Sequence, residues 1–316
     1  MAKTILVTGH AGFIGSHLTA KLLEAGNKVV GVDNFNDFYS PARKHANVAP
    51  FLTNPNFKEY ELDILDVNGL KRVFEDQNID TVVHLAARAG VRPSIVNPGL
   101  YEEVNVKGTL SVLETMRQFN VKHLVFGSSS SVYGNQTKVP FTETDPVNEP
   151  VSPYAATKKA GEMLCYTYSY LHHLQTTCLR FFTVYGPAGR PDMAPYLFTQ
   201  KILKGESIIR YGDGKSSRDY TFVADIVSGI AAAIDKPFAF EIINLGNHQP
   251  VTLNDFIALV EKLTEKKAEI MENPRNPADV LTTYADISKA KKLLGWEPKT
   301  KLEDGLKQFI GWYKSI

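Results

Sequence analysis

The sequence has little cysteine, almost no net charge and no long apolar run, and each shortage removes a class of protein. Two cysteines, Cys165 and Cys178, are too few for a disulfide framework. Both lie in apolar segments, so we predict reduced residues of the core. A formal net charge of +1 gives no electrostatic reason to expect nucleic acid or a membrane as a partner. No apolar run approaches the length that spans a bilayer.

Two further absences concern metals and targeting. No histidines and cysteines are spaced like metal ligands, so we expect no metal site. The amino-terminal residues run directly into a predicted strand, without a basic segment or a cleavage site. We therefore expect a cytoplasmic protein.

What the chain does have is a regular alternation of short apolar runs and longer helical segments. The runs are almost continuous in Val, Ile and Leu, which is typical of strands covered on both faces of a sheet. The predicted strands are residues 3–8, 28–33, 57–62, 81–85, 123–127 and 176–181. The predicted helices are residues 12–25, 67–77, 98–119 and 154–171. This alternation predicts an α/β fold with a doubly wound parallel sheet, a Rossmann fold.

The pattern changes after about Val184, where a loop rich in proline and glycine leads into shorter, mixed elements. We predict a first domain over residues 1–183, completed by a strand near residues 240–246. A smaller C-terminal domain, residues 184–316, would be interleaved with it.

Three glycines mark the turn between the first predicted strand and the first predicted helix. Gly9 permits a tight turn, Gly12 would let the backbone approach a pyrophosphate, and Gly15 would let helix and strand pack closely. The helix then presents free N–H groups and a positive dipole end to phosphates. The turn therefore predicts a bound dinucleotide, against the plainer interpretation of three packing glycines.

An acidic residue, Asp33, ends the second predicted strand. Its carboxylate would accept hydrogen bonds from the adenosine ribose and repel a 2′-phosphate, and no arginine follows it directly, so we predict NAD rather than NADP. Asp63 would bind the adenine amine, with an ordinary helix cap as the alternative. The predicted cofactor contacts are Gly9, Gly12, Phe13, Ile14, Gly15, Asp33, Asn34, Asp63, Ile64, Leu85, Ala86, Ala87 and Lys158.

A second motif places a phenol and an ammonium on one helix face. Tyr154 and Lys158 are four residues apart in a predicted helix. A free phenol has a pKa near ~10, but a neighbouring ammonium favours the phenolate. Four serines, residues 128–131, follow the fifth predicted strand at the sheet edge where ligands bind. Beside a dinucleotide, these groups predict proton transfer coupled to hydride transfer, whereas each motif alone fits a surface contact or a polar turn.

These motifs, in this order, resemble the extended short-chain dehydrogenase/reductase family. The resemblance also rests on His84-Leu-Ala-Ala, Asn105-Val-Lys-Gly-Thr, the serine run through Val-Tyr-Gly to Gly134, and Tyr185-Gly-Pro. Within the family the chain looks most like the NAD-dependent nucleotide-sugar 4-epimerases. The resemblance implies NAD in the N-terminal domain, a UDP-sugar in the C-terminal domain, and a homodimer through the helices around residues 98–119 and 154–171.

Three segments narrow the resemblance to UDP-glucuronate 4-epimerases. They are residues 84–94, 154–160 and 179–194, whereas residues 211–223 are closer to UDP-sugar epimerases in general. A 4-epimerase of UDP-glucose or UDP-N-acetylglucosamine is therefore the first alternative. A non-catalytic NAD-binding regulator and a net dehydrogenase are the others.

The resemblance also assigns roles to individual residues. Tyr154 would be the acid/base, Ser129 would hold the same substrate oxygen, and Lys158 would bind the nicotinamide ribose. The implied substrate contacts are Arg92, Ser128, Ser129, Ser130, Tyr154, Thr183, Arg190, Arg210, Arg218, Arg275 and Asp279. For Arg92 and Arg190 the alternative is a surface ion pair or a pyrophosphate contact, and for the other arginines it is a solvated charge. The stretch of residues 129–134 contains no carboxylate, which argues against a 4,6-dehydratase and a decarboxylase, whose members carry acidic residues there.

Overall fold

The computed structural model describes residues 2–274 and 279–316. The strands are β1 (Thr4–Thr8), β2 (Lys28–Asp33), β3 (Phe57–Glu61), β4 (Thr81–His84), β5 (His123–Ser129), β6 (Gln175–Phe181), β7 (Thr183–Tyr185), β8 (Ile208–Tyr211), β9 (Ser217–Phe222), β10 (Phe240–Leu245), β11 (Pro250–Thr252) and β12 (Ile270–Asn273). The helices are α1 (Phe13–Glu24), α2 (Pro41–Val48), α3 (Val67–Asp76), α4 (Val91–Val96), α5 (Pro98–Glu102), α6 (Gly108–Gln118), α7 (Pro153–His172), α8 (Ala194–Lys204), α9 (Val223–Asp235), α10 (Leu253–Thr264), α11 (Ser288–Leu294) and α12 (Leu302–Lys314).

The main sheet confirms the predicted doubly wound fold. Seven parallel strands lie in the order β10-β6-β5-β4-β1-β2-β3. At its centre, Leu6 of β1 pairs with Val30 on one side and Val82 on the other. Strand β10 pairs with β6, so the chain returns to this sheet late in its course. The strand order reverses at β1, and ligands of such sheets bind at the carboxyl ends of the strands there.

Side chains that alternate along the strands pack into two hydrophobic cores, one on each face of the sheet. Ile5 and Val7 pack with α1 and α9, whereas Leu6 packs with α3, α6 and α7. All three side chains are fully buried, and burial of one such side chain contributes roughly 1.5–3 kcal/mol. Cys165 and Cys178 lie in the second core as free thiols, which confirms their predicted state.

The segment of residues 98–119 differs from the single helix that the sequence predicts. It consists of α5 and α6, joined by a π-helical stretch, Glu103–Lys107. Asn105 in this stretch is buried, accepts a hydrogen bond from the Arg88 amide (2.7 Å) and donates to the Arg88 carbonyl (2.9 Å). The π turn therefore fixes the loop that follows β4, beside the site described below.

The second half of the chain adds two small sheets above the carboxyl ends of the main strands. One has the order β11-β9-β7, and the other pairs β8 with β12. Helices α8, α10 and α12 pack on them through the same core as α1 and α9. Among the helices that the structure describes, none has the length and apolarity needed to cross a membrane.

Candidate active site

A cavity of about 770 Å³ lies at the carboxyl ends of the main strands, between the two halves of the fold. It begins at the turn between β1 and α1, passes the ends of β4 and β5, and ends against β8 and β9. This volume is within the range of ligand pockets in proteins and near its upper end.

The glycine turn forms one end of the cavity. Gly9 has φ +74°, and a Cβ there would lie 2.8 Å from the amide nitrogen of Ala86. A Cβ at Gly15 would lie 2.0 Å from the carbonyl oxygen of Gly9, so neither position has room for a side chain. Gly12 caps α1 without a side-chain bond, which leaves the first N–H groups of the helix, including those of Phe13 and Ile14, to a ligand.

The carboxylate of Asp33 lies at the same end, at the carboxyl end of β2. It is 7% exposed, and its Oδ1 accepts the Phe35 amide at 2.9 Å. A second partner, which the sequence reasoning missed, is Lys44 of α2, whose Nζ lies 3.4 Å from Asp33 Oδ1. A signal for α2 was present, because Pro41 at a first helical position is a common helix start.

The predicted adenine contact, Asp63, is linked to the residue that follows Asp33. The Asn34 amide donates to Asp63 Oδ2 at 2.7 Å. The helix cap is a different residue, Asp66, which accepts the Gly69 amide at 2.9 Å. Asp63 is thus not the cap of α3; it lines the cavity, and its Oδ1 accepts the Leu65 amide at 2.9 Å. The remaining predicted cofactor residues of this region also line it: Ile64, Leu85, Ala86 and Ala87.

Tyr154 and Lys158 lie at the middle of the cavity on the first turns of α7. Lys158 Nζ donates to the carbonyl oxygen of Gly127 at 2.7 Å, and burial lowers its pKa to about 8. Burial raises the pKa of Tyr154, while the nearby Ser129 hydroxyl and the charge of Arg190 act in the opposite direction. Arg190 is therefore a nearby positive charge that favours the phenolate, and the predicted effect of Lys158 on the Tyr154 pKa stays a prediction.

The two serines at the end of β5 point in different directions. Ser129 Oγ lies in the cavity and accepts the Ser131 amide at 3.2 Å. Ser128 Oγ donates its single proton to Glu162 at 2.7 Å, on the buried side. Ser128 also lines the cavity, so its predicted contact with a substrate stays a prediction. Ser130 and Thr183 also line the cavity.

Three of the predicted arginines line the cavity. Arg190 Nε donates to Asp192 at 3.0 Å, and its guanidinium lies 5.2 Å from the centre of the Phe38 ring. The other two arginines, Arg92 and Arg218, lie at the end of the cavity that is formed by β8 and β9.

Arg92 donates to Asp279 at 2.7 Å and stacks on Tyr211 at 3.9 Å. Arg218 donates to the backbone carbonyl of Ser217 at 2.8 Å, and the structure shows no carboxylate partner for it within residues 2–274 and 279–316. Burial lowers the pKa of Arg218 and the charge of Arg92 lowers it further, whereas the charge of Asp279 acts in the opposite direction.

Arg210 is a correction to the predicted set. Ile209 and Tyr211 of β8 line the cavity, so the side chain between them lies on the opposite face of the strand. There Arg210 donates to Asn254 at 3.0 Å and forms an ion pair with Glu272. Arg275, which the resemblance also implied, lies outside the described residues.

Comparison with known proteins places the chain in a family. A model of the family described as GDP-mannose 4,6 dehydratase matches residues 6–309. The chain belongs to this family of short-chain dehydrogenases/reductases. The match covers the glycine turn, the Tyr154–Lys158 pair and most of the second half, and it confirms the resemblance given by the motifs.

Individual members of the family are similar over almost the full length. A UDP-glucuronate 4-epimerase of Thermodesulfobacterium geofontis is 48% identical over 310 residues, which is 98% of this chain and 95% of that protein. A crystal structure of the Bacillus cereus UDP-glucuronic acid 4-epimerase with UDP-glucuronic acid and NAD has a TM-score of 0.94 at 36% identity, covering 99% of each chain. A UDP-glucose 4-epimerase of Thermotoga maritima has a TM-score of 0.91 at 35% identity, covering 99% of each chain.

Proposed function

We propose that this protein is an NAD-dependent UDP-glucuronate 4-epimerase that forms UDP-galacturonate through a transient 4-keto sugar. One observation carries the proposal: a single cavity joins the dinucleotide turn, the Tyr154–Lys158 pair and the predicted Arg92, Arg190 and Arg218, and no carboxylate lies in the stretch of residues 129–134. Relatives of that name, at up to 48% identity, support the choice of substrate.

The residues at the turn fit NAD. The open N–H groups of α1 suit a pyrophosphate, and the free oxygen of Asp33 suits a ribose hydroxyl. When bound, NAD supplies an acceptor for the hydrogen of C4 and returns it as hydride to the other face of the ring.

The side chains at the middle of the cavity would move the proton of the 4-hydroxyl. Tyr154 accepts it and later gives it back, while Ser129 holds the same oxygen by a hydrogen bond. Lys158, held by Gly127, orients the nicotinamide ribose. Arg190 favours the phenolate by its charge, and the oxidised nicotinamide would add a second positive charge.

A glucuronate substrate requires an additional restraint. Its 4-keto form is a β-keto acid, which loses CO₂ when the C5–C6 bond aligns with the ketone π system. We propose that Thr183, Ser130 and Arg190 hold the carboxylate out of that alignment, since all three line the same cavity as Tyr154. The hydroxyl of Ser128 is not part of this set.

The UDP group would occupy the end of the cavity formed by residues 184–316. Arg218 and Arg92 are suited to the pyrophosphate, because a guanidinium binds phosphate oxygens bidentately. When Arg92 binds the pyrophosphate, its hydrogen bond to Asp279 is broken and Asp279 contacts the nucleotide instead. Arg275 is proposed as a further contact. The Rossmann half, residues 1–183 with β10, would hold the cofactor.

We also propose a cytoplasmic homodimer. Large apolar side chains of α6 and α7 are exposed: Leu110, Met163, Tyr166 and Tyr170, of which Tyr170 is 73% exposed. Exposed patches of this kind mark association sites. Light scattering should give twice the mass of one chain, and Tyr170→Glu should reduce that mass to one chain.

The decisive experiment incubates the purified protein separately with UDP-glucuronate, UDP-glucose and UDP-N-acetylglucosamine, with product analysis by NMR. UDP-galacturonate from the first substrate alone, without accumulation of NADH, is expected. Tyr154→Phe is the matched control and should retain NAD but abolish conversion. Conversion of a neutral sugar instead would favour the second candidate, a UDP-hexose 4-epimerase, which the Thermotoga maritima fold match supports.

A further inference from the structure

A lysine of α2 lies at the nucleotide end of the cavity, where the sequence indicated only a carboxylate. The side chain of Lys44 is 5% exposed, and its ammonium lies 3.4 Å from Asp33 Oδ1. Both residues line the cavity. The ammonium of Lys44 therefore offsets the charge of the Asp33 carboxylate.

Helix α2 holds this lysine in a fixed position relative to the glycine turn. Asn47 donates to the carbonyl oxygen of Ala11 in the turn at 3.0 Å. Arg43, which precedes Lys44 in the helix, donates to the hydroxyl of Tyr196 on α8 at 2.6 Å and stacks on its ring at 4.6 Å. The helix is thus tied both to the turn and to the second half of the chain.

The donors and acceptors of the pair are only partly used. An ammonium has three donors, and among the described residues Lys44 makes a single hydrogen bond, to Asp33, with the Tyr39 ring 5.5 Å away. Asp33 accepts two hydrogen bonds at Oδ1, one from Phe35 and one from Lys44, so its Oδ2 is available to accept a bond from a ligand. Buried polar groups are normally paired, so an acceptor from a ligand is expected beside Lys44.

We infer that Lys44 is a specificity-determining residue for the nucleotide, acting with Asp33 on the adenosine ribose. Asp33 Oδ2 accepts from one hydroxyl of the ribose, and Lys44 donates to the oxygen of the other. This inference rests on the proposed binding of NAD. Rejection of a 2′-phosphate then depends on the Asp33 carboxylate alone, because the cation that a 2′-phosphate needs is already in place.

The test compares NADH and NADPH binding, by fluorescence of the reduced nucleotide, in protein freed of nucleotide. Lys44→Met should lower the affinity for NADH roughly tenfold, because that factor corresponds to the loss of one hydrogen bond to a charged group. Asp33→Asn should shift the ratio of affinities toward NADPH by roughly tenfold or more. Adding Lys44→Met to Asp33→Asn should cancel that shift, whereas adding Lys44→Arg should keep it.

The controls separate this inference from the proposed function. Lys201→Met removes another cavity lysine, one bonded to the Ser207 carbonyl at 3.0 Å, and should leave the NADPH to NADH ratio unchanged. A wild-type protein that binds no NADH would remove the proposed function. Wild-type binding of NADH, together with an Asp33→Asn shift that is equal with and without Lys44, would overturn only the role of Lys44.

Discussion

The buried ion pair behind the active-site serines gives the most quantitative prediction. Glu162 and Arg180 are each 1% exposed and form two hydrogen bonds, at 2.8 and 2.9 Å. Ser128 adds a third bond to Glu162 at 2.7 Å. The pair thereby connects α7, β6 and β5 directly behind Ser129. We predict that Glu162→Gln destabilises the protein severely.

The magnitude follows from the burial of the partner. Glu162→Gln leaves the Arg180 guanidinium inside the protein without its counter-charge, and removal of one partner of a buried pair costs about 3–5 kcal/mol. A typical domain has a free energy of unfolding of about 5–15 kcal/mol, so a large fraction would be lost. Ser128→Ala removes only one hydrogen bond to a charged group and should cost about 1.5–3 kcal/mol at most.

The pH dependence of this loss has a definite sign. Burial alone would raise the pKa of Glu162, but the hydrogen bonds and charge of Arg180 outweigh it and hold the pKa below its usual value. The pair's contribution is therefore fully present above the carboxyl pKa of the unfolded chain, about 4.3, and is lost as the pH falls through the lower folded pKa. The difference between wild type and Glu162→Gln should be constant from about pH 8 to 5 and shrink below about pH 4.

The assay is urea unfolding followed by circular dichroism. The matched control is Glu297→Gln, because Glu297 forms an exposed ion pair with Lys291 at 3.0 Å, and its loss should cost at most about 1 kcal/mol. If Glu162→Gln lowers the free energy of unfolding no more than Glu297→Gln does, the argument from the buried pair is refuted.

Three further predictions concern the cavity itself. Gly15→Ala should abolish the co-purification of NAD, measured by chromatography of nucleotide released on denaturation, because the new Cβ would lie 2.0 Å from the Gly9 carbonyl oxygen; a fully loaded variant would contradict this. Arg190→Met should raise the pKa of Tyr154 and move the acidic limb of the kcat–pH profile to higher pH, and an unmoved profile would remove that charge effect. Thr183→Ala should increase the fraction of decarboxylated product seen by NMR, and an unchanged fraction would count against a role in holding the carboxylate.

Much of the fold and part of the candidate site could be predicted because their causes are local. Strands covered on both faces must be apolar throughout. The glycines of the turn between β1 and α1 lie where the backbone leaves no room for a Cβ atom. Tyr154 and Lys158 share a face simply because a helix has 3.6 residues per turn. Lys44 could not be predicted in the same way, since only the docking of α2 brings it to Asp33.

A second difficulty has a different cause, which is the alternation of side chains along a strand. Ser128 and Ser129 are adjacent, as are Arg210 and Tyr211, and in each pair the first side chain bonds a protein group, Glu162 or Asn254, while the second lies in the cavity. The composition of these short strands does not show which of the two alternating sets of side chains faces the ligand, since Ser128 and Ser129 carry the same hydroxyl group. This is fixed only by what covers the other face, and here that is Glu162 behind β5. The bond to Glu162 therefore gives the Ser128 hydroxyl a partner within the protein, which supports the proposal that Ser129 is the serine that holds the substrate oxygen.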